Sequence, residues 1–160
     1  MKASTWFLRV TLGGLALLAV VIGVIPVPIM LSKMGHGAPV GLNGVVVSLG
    51  VGVYLALLAF LVAVVVGEQL LSVIERGTAF TNQALTKLRH LTWALVVLTV
   101  GVWLWLPFIY TAARLDDAPG LMVIGLAVAL VPVVLTVFMA VLTRLWQAAL
   151  AYKTDTDLTI

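Results

Sequence analysis

The chain has no cysteine and only six acidic residues. Thiol chemistry is thereby excluded, including that of the quinone-linked disulfide enzymes, which also use four-helix membrane scaffolds. Charge is scarce throughout: charged residues make up 9% of the 160 positions, against 63% hydrophobic. No ordinary soluble domain of this size has that balance. Asp, Glu, Lys and Arg are missing from four stretches: Val10 to Ser32, Met34 to Gly67, Leu91 to Ala113 and Ala118 to Thr143. A hydrocarbon core about 30 Å thick is crossed by roughly 20 helical residues at about 1.5 Å each, so each stretch can span it.

These runs predict an all-α integral membrane bundle of four transmembrane helices in a single domain, residues 1–160. The spans are expected at about 10–32, 44–67, 91–113 and 120–143. The Gly- and Pro-bearing "SKMGHGAPVGLNG" is expected to form the loop after the first span. Lys2, Arg9 and the apolar run behind them have the look of a signal peptide. The run is long, however, and Pro39 stands where cleavage is disfavoured, so an uncleaved first span is expected. Nothing outside the spans is large enough to bury a core of its own.

The cations set an orientation. Lys2, Arg9, Arg76, Lys87, Arg89, Arg144 and Lys153 fall on one side of such a bundle, and only Lys33 and Arg114 on the other. The positive-inside tendency then puts both termini in the cytoplasm of a bacterium, in its inner membrane. The net charge of +3 is explained by this topology signal and by attraction to anionic lipid headgroups, with no direct nucleic-acid contact implied. Trp6, Trp93 and Trp146 fall at the expected inner interface, and Trp103, Trp105 and Tyr110 at the outer one, as anchors.

Within the spans no ionisable residue is central, which argues against ion-coupled transport and membrane catalysis. Glu68 lies nearest, at the inner end of the second span. His36 and His90 are expected on opposite sides and have no ligand-spaced companions. Asp116 and Asp117 read as a solvated turn. No catalytic, cofactor-binding or metal-binding residue is assigned, no cofactor is expected, and the chain is not expected to be an enzyme. The small residues Gly44, Ser48, Gly52 and Ala56 recur every four positions along the second span. Such a stripe lets another backbone approach closely, either within the chain or in a homo-oligomer. Pro26, Pro28, Pro107 and Pro132 each favour a bend.

The longest polar interruption is "RGTAFTNQALTKLRH". Residues Glu68 to Ile74 read as an amphipathic continuation of the second span, Gly77 as its stop and Thr81 as the cap of the next helix. The result is a cytoplasmic helical hairpin over about 68–90, with a cytoplasmic tail over about 144–160.

The stretch "GTAFTNQALTKLRHLTW" and the closing "DTDLTI" resemble the YoaS-like family of small bacterial four-helix membrane proteins of unknown function. Gly77, Phe80, Leu88 and Leu91 fit the family's connection, and Asp155 to Ile160 its acidic tail. Ala79 and Ala84 depart from the Pro and Asn common there. Members are often encoded beside a small helix-turn-helix regulator of the Cro and phage-repressor type. The resemblance thus implies a membrane protein that holds or controls such a regulator. A partner surface is expected on Arg76, Gly77, Phe80, Lys87 and Arg89 in the hairpin and on Asp157, Leu158 and Ile160 in the tail. The alternatives are a small transporter, channel or accessory subunit, and an immunity or envelope-stress protein.

Overall fold

In the computed structural model, which describes residues 2–37, 43–75 and 81–157, every regular element is helical. The helices are α1 (Lys2–Val24), α2 (Pro26–Gly37), α3 (Asn43–Glu75), α4 (Asn82–Trp103), α5 (Leu106–Leu115) and α6 (Pro119–Asp157). They make four stretches long and apolar enough to cross a membrane: Trp6–Lys33, Asn43–Glu75, Asn82–Leu115 and Pro119–Tyr152.

Two of these four are interrupted, and each break has a proline close after it. Neither Pro26 nor Pro28 can donate to the turn before it, and the chain breaks at Ile25, between α1 and α2. Beyond the break the helix resumes to Gly37, through residues expected to be loop. Pro107 likewise leaves the Trp103 carbonyl without its helical donor. The break comes just ahead of it, where the Trp105 N–H turns to Val102 O at 3.1 Å instead of to Gly101 O. Pro132 behaves differently, since α6 runs through it unbroken with its ring buried.

α3 packs on α1 on one side and on α4 and α5 on the other, and α6 packs on α4 and α5. Among the described residues α1 and α6 form no packed interface of comparable extent, so the four spans stand in a row with α3 and α4 at its centre. In lipid this arrangement is tolerated because apolar surface gains nothing by leaving hydrocarbon, and helices associate through close packing and hydrogen bonds instead.

The closest packing is where α3 crosses α4. A Cβ on Gly52 would come 2.6 Å from Gly101 O, and one on Gly101 would come 2.7 Å from Ala56 N and 2.9 Å from Gly52 O. The two missing side chains thus let each backbone close on the facing carbonyl, the kind of close helix crossing at which Cα–H···O contacts recur. α1 is held to α3 by Gly23, whose missing Cβ leaves room for Leu57, and by the Tyr54 hydroxyl, which donates to Gly23 O at 3.4 Å.

At the opposite end of α5 the chain turns in three residues. Ala118 N–H reaches back to Ala113 O at 3.0 Å and Asp117 takes a left-handed φ of 49°. This is a Schellman-type stop with Asp in the position glycine usually holds, followed by Pro119 at the first turn of α6. The Asp116–Asp117 pair is thus part of a helix stop.

Candidate functional site

The start of α1, the end of α3, the start of α4 and the end of α6 all lie at one end of the row. Three cross-links establish this: Arg9 to Glu75, Lys87 to Gln69, and Thr92 to Thr143. That end gathers Arg9, Lys87, Arg89 and Arg144, while Lys33 and Arg114 lie toward the other. Arg114 stacks there over Tyr110, 4.8 Å from the ring centre.

Arg9 Nη2 donates to Glu75 Oε2 at 2.6 Å with side chains 45% and 37% exposed, so water screens the pair and it contributes no more than about 1 kcal/mol. Between α1 and α3 an open crevice of about 340 Å³ is lined by Arg9, Val65, Glu68, Gln69 and Ser72. Glu68 is exposed, on the α1 side of Gln69. On the α4 side, Lys87 Nζ donates to Gln69 Oε1, tying the two helices just beyond the apolar seam.

Of the expected partner surface, Arg76, Gly77 and Phe80 in the hairpin, and Leu158 and Ile160 in the tail, lie outside the described residues. Asp157 is the last residue of α6. Lys87 is half-buried by its bond to Gln69, and Arg89 is exposed. Thr81 stands at the start of α4 with extended backbone, φ −129° and ψ 159°, but its side chain makes no capping bond; its carbonyl instead accepts from Leu85 N–H at 3.3 Å. Of the small-residue stripe, Gly52 and Ala56 meet Gly101, Ser48 is half-buried and bonded to Val45 O at 2.8 Å, and Gly44 faces open space.

Trp103 and Tyr110 are exposed, as anchors would be. Trp105 is not. The break before Pro107 turns it against Gly52, and its Nε1 is buried with no hydrogen-bond partner among the described residues.

Two pairs of threonines escaped the sequence reading. Thr99 Oγ1 lies 3.2 Å from Thr136 Oγ1, and Thr92 Oγ1 lies 3.4 Å from Thr143 Oγ1. The seven-residue spacing of Thr92 and Thr99, matched by that of Thr136 and Thr143, was the available signal. Among the described residues no three His, Asp or Glu side chains come together as a metal site.

Fold and site together define an all-helical, multi-pass membrane protein with four spanning helices. Its residues 38–160 match the family described as Protein of unknown function (DUF2975), and the chain belongs to that family. It is 31% identical over 163 residues to the uncharacterized membrane protein YoaS of Bacillus subtilis (strain 168), covering 99% of each chain. The likeness carried by the hairpin and tail residues is thereby borne out at the level of the family. No solved structure matches the chain.

Proposed function

We propose that this protein is a non-enzymatic anchor of the bacterial inner membrane, with both termini in the cytoplasm, and that its basic end holds a small soluble regulator. The observation that carries this reading is the length of α6. Its 39 residues extend roughly 58 Å at about 1.5 Å per residue, nearly twice the bilayer core of about 30 Å. With the last span at about 120–143, as the sequence leads one to expect, the surplus lies past Thr143, at the end of the row where the cations gather. There Leu145 and Tyr152, 62% and 76% exposed, fall seven residues apart on one helical face with Ala148 and Ala149 between them. An apolar face on a helix that has left the membrane is surface for a protein partner.

That the partner is of helix-turn-helix type rests on the family likeness, and Arg76, Gly77, Phe80, Lys87, Arg89, Asp157, Leu158 and Ile160 are its proposed contacts. The anchor itself touches lipid and this partner, with no direct nucleic-acid contact. Affinity purification from native membranes, beside a variant lacking residues 155–160 and a Leu145→Ser/Tyr152→Ser variant, tests the reading by mass spectrometry. A small DNA-binding protein recovered with the intact chain and lost from both variants supports it. Identical soluble proteins with all three, or none with any, would sink it.

A further inference from the structure

The seam between α3 and α4 is not filled along its whole length. On one face of the row it opens into a groove of about 460 Å³. Ala59 and Ala94, both buried, form its floor, and their small side chains are the reason a channel exists. Leu58 and Val62 form one wall, Trp93 and Val97 the other, and these wall residues are exposed. On α3 the groove runs from Leu55 to Val66, roughly 16 Å at about 1.5 Å per residue, or half of a hydrocarbon core of about 30 Å. Its length is that of one leaflet.

Polarity is confined to one end. His90 lines the groove there and is exposed, and one turn further out Lys87 reaches across the same seam to Gln69. Among the described residues no carboxylate lines this groove. Glu68 lies in the neighbouring crevice with Arg9, and Glu75 is bound to Arg9. The groove is therefore apolar for one leaflet's depth and rimmed by nitrogen donors at the level where headgroup phosphates lie. The exposed indole of Trp93 sits one turn inside the rim, as interfacial tryptophans do.

We propose that this groove holds one acyl chain of a glycerophospholipid, with the lipid's phosphate bound at His90 and Lys87. A helix of a second copy would match the apolar walls but would leave the rim donors without a counter-charge.

Native mass spectrometry of the 17.0 kDa protein, released from vesicles of mixed phosphatidylglycerol and phosphatidylethanolamine, tests the assignment. The expected result is one retained phospholipid per chain. Val62→Trp or Val97→Trp, which fill the groove from exposed wall positions, should lower its occupancy at least tenfold, while Val123→Trp on the exposed surface of α6 leaves it unchanged. Lys87→Gln/His90→Gln should remove the preference for the anionic lipid. Equal occupancy in the wild type and both groove-filling variants overturns the site, and unchanged headgroup preference in the double variant overturns the phosphate assignment. A two-chain species that Val62→Trp abolishes would give the groove to a second copy instead.

Discussion

Thr99 on α4 and Thr136 on α6 face each other with their hydroxyl oxygens 3.2 Å apart, and Thr92 and Thr143 repeat the arrangement at 3.4 Å. Each pair is seven residues from the next on both helices, which run antiparallel, so the hydroxyls recur on one seam after two turns. All four hydroxyls also lie within bonding distance of a carbonyl four residues back: Leu88 O, Leu95 O, Pro132 O and Met139 O, at 2.7 to 2.9 Å. A pair has two hydrogens and four acceptor groups, two carbonyls and two hydroxyl oxygens. One hydroxyl donates across the seam only by giving up its own carbonyl. The cross-seam bond therefore replaces a local one, and its net worth is small.

Thr99→Val and Thr136→Val should accordingly each destabilise by less than about 1 kcal/mol. Their coupling in a double-mutant cycle should be about 0.6 kcal/mol, the size found for hydrogen bonds between membrane helices. Unfolding in mixed micelles with increasing dodecyl sulfate measures this. A coupling of zero would mean that both hydroxyls stay on their own carbonyls.

The glycine crossing should matter more. In Gly101→Ala the new Cβ would lie 2.7 Å from Ala56 N, a backbone atom that cannot rotate away, so α3 and α4 must separate along their whole contact. A loss of about 1 to 3 kcal/mol is expected, the usual result of overpacking. Gly67→Ala is the comparison. It adds the same methyl to α3, the other helix of the crossing, with nothing among the described residues within 4 Å, and should be neutral or stabilise by up to about 1 kcal/mol through helix propensity. Similar losses for both variants in the same unfolding assay would remove the crossing as the cause.

These two contacts also mark where the sequence stops being readable. The four spans follow from the absence of charge, because a charge inside hydrocarbon is costly whatever its neighbours are. Half of the central crossing was legible too, as the four-residue stripe through Gly52 and Ala56. Gly101 was not, since a lone glycine in an apolar run has no spacing to set it apart. The threonine pairs needed the antiparallel register of α4 and α6, which neither helix specifies alone. Trp105 reads as an interfacial anchor by position and turns inward only because the break falls ahead of Pro107. The row of spans is hidden for a broader reason: lipid-facing and protein-facing surfaces are both apolar, so hydropathy cannot distinguish them.

The turn before α6 offers a gain in stability. Asp117 holds φ at 49°, where a side chain crowds its own backbone, although Asp is among the residues least penalised there. Asp117→Gly removes the crowding at some cost in chain entropy, for an expected gain of about 0.5 kcal/mol. Asp117→Val should lose about 1 to 2 kcal/mol. The thermal midpoint in detergent should rise for the first variant and fall for the second, and the opposite order would contradict a left-handed Asp117.

The absence of cysteine makes the orientation directly measurable, because any single cysteine introduced is the sole target of a thiol reagent. The start of α1 and the end of α6 lie at one end of the row, and the Asp116–Asp117 turn lies at the other, after α5. In intact cells whose outer membrane admits the reagent, an impermeant maleimide should label Asp117→Cys. It should reach Lys2→Cys and Lys153→Cys only after the inner membrane is opened. The reasoning is electrostatic: Arg9, Lys87, Arg89 and Arg144 gather at the end where α1 starts and α6 ends, and short cationic segments are retained on the cytoplasmic side. Labelling of Lys2→Cys or Lys153→Cys from outside would invert the topology. The surplus of α6 and its Leu145–Tyr152 face would then be outside the cell, beyond the reach of any cytoplasmic regulator, and the proposed function would fall with the orientation.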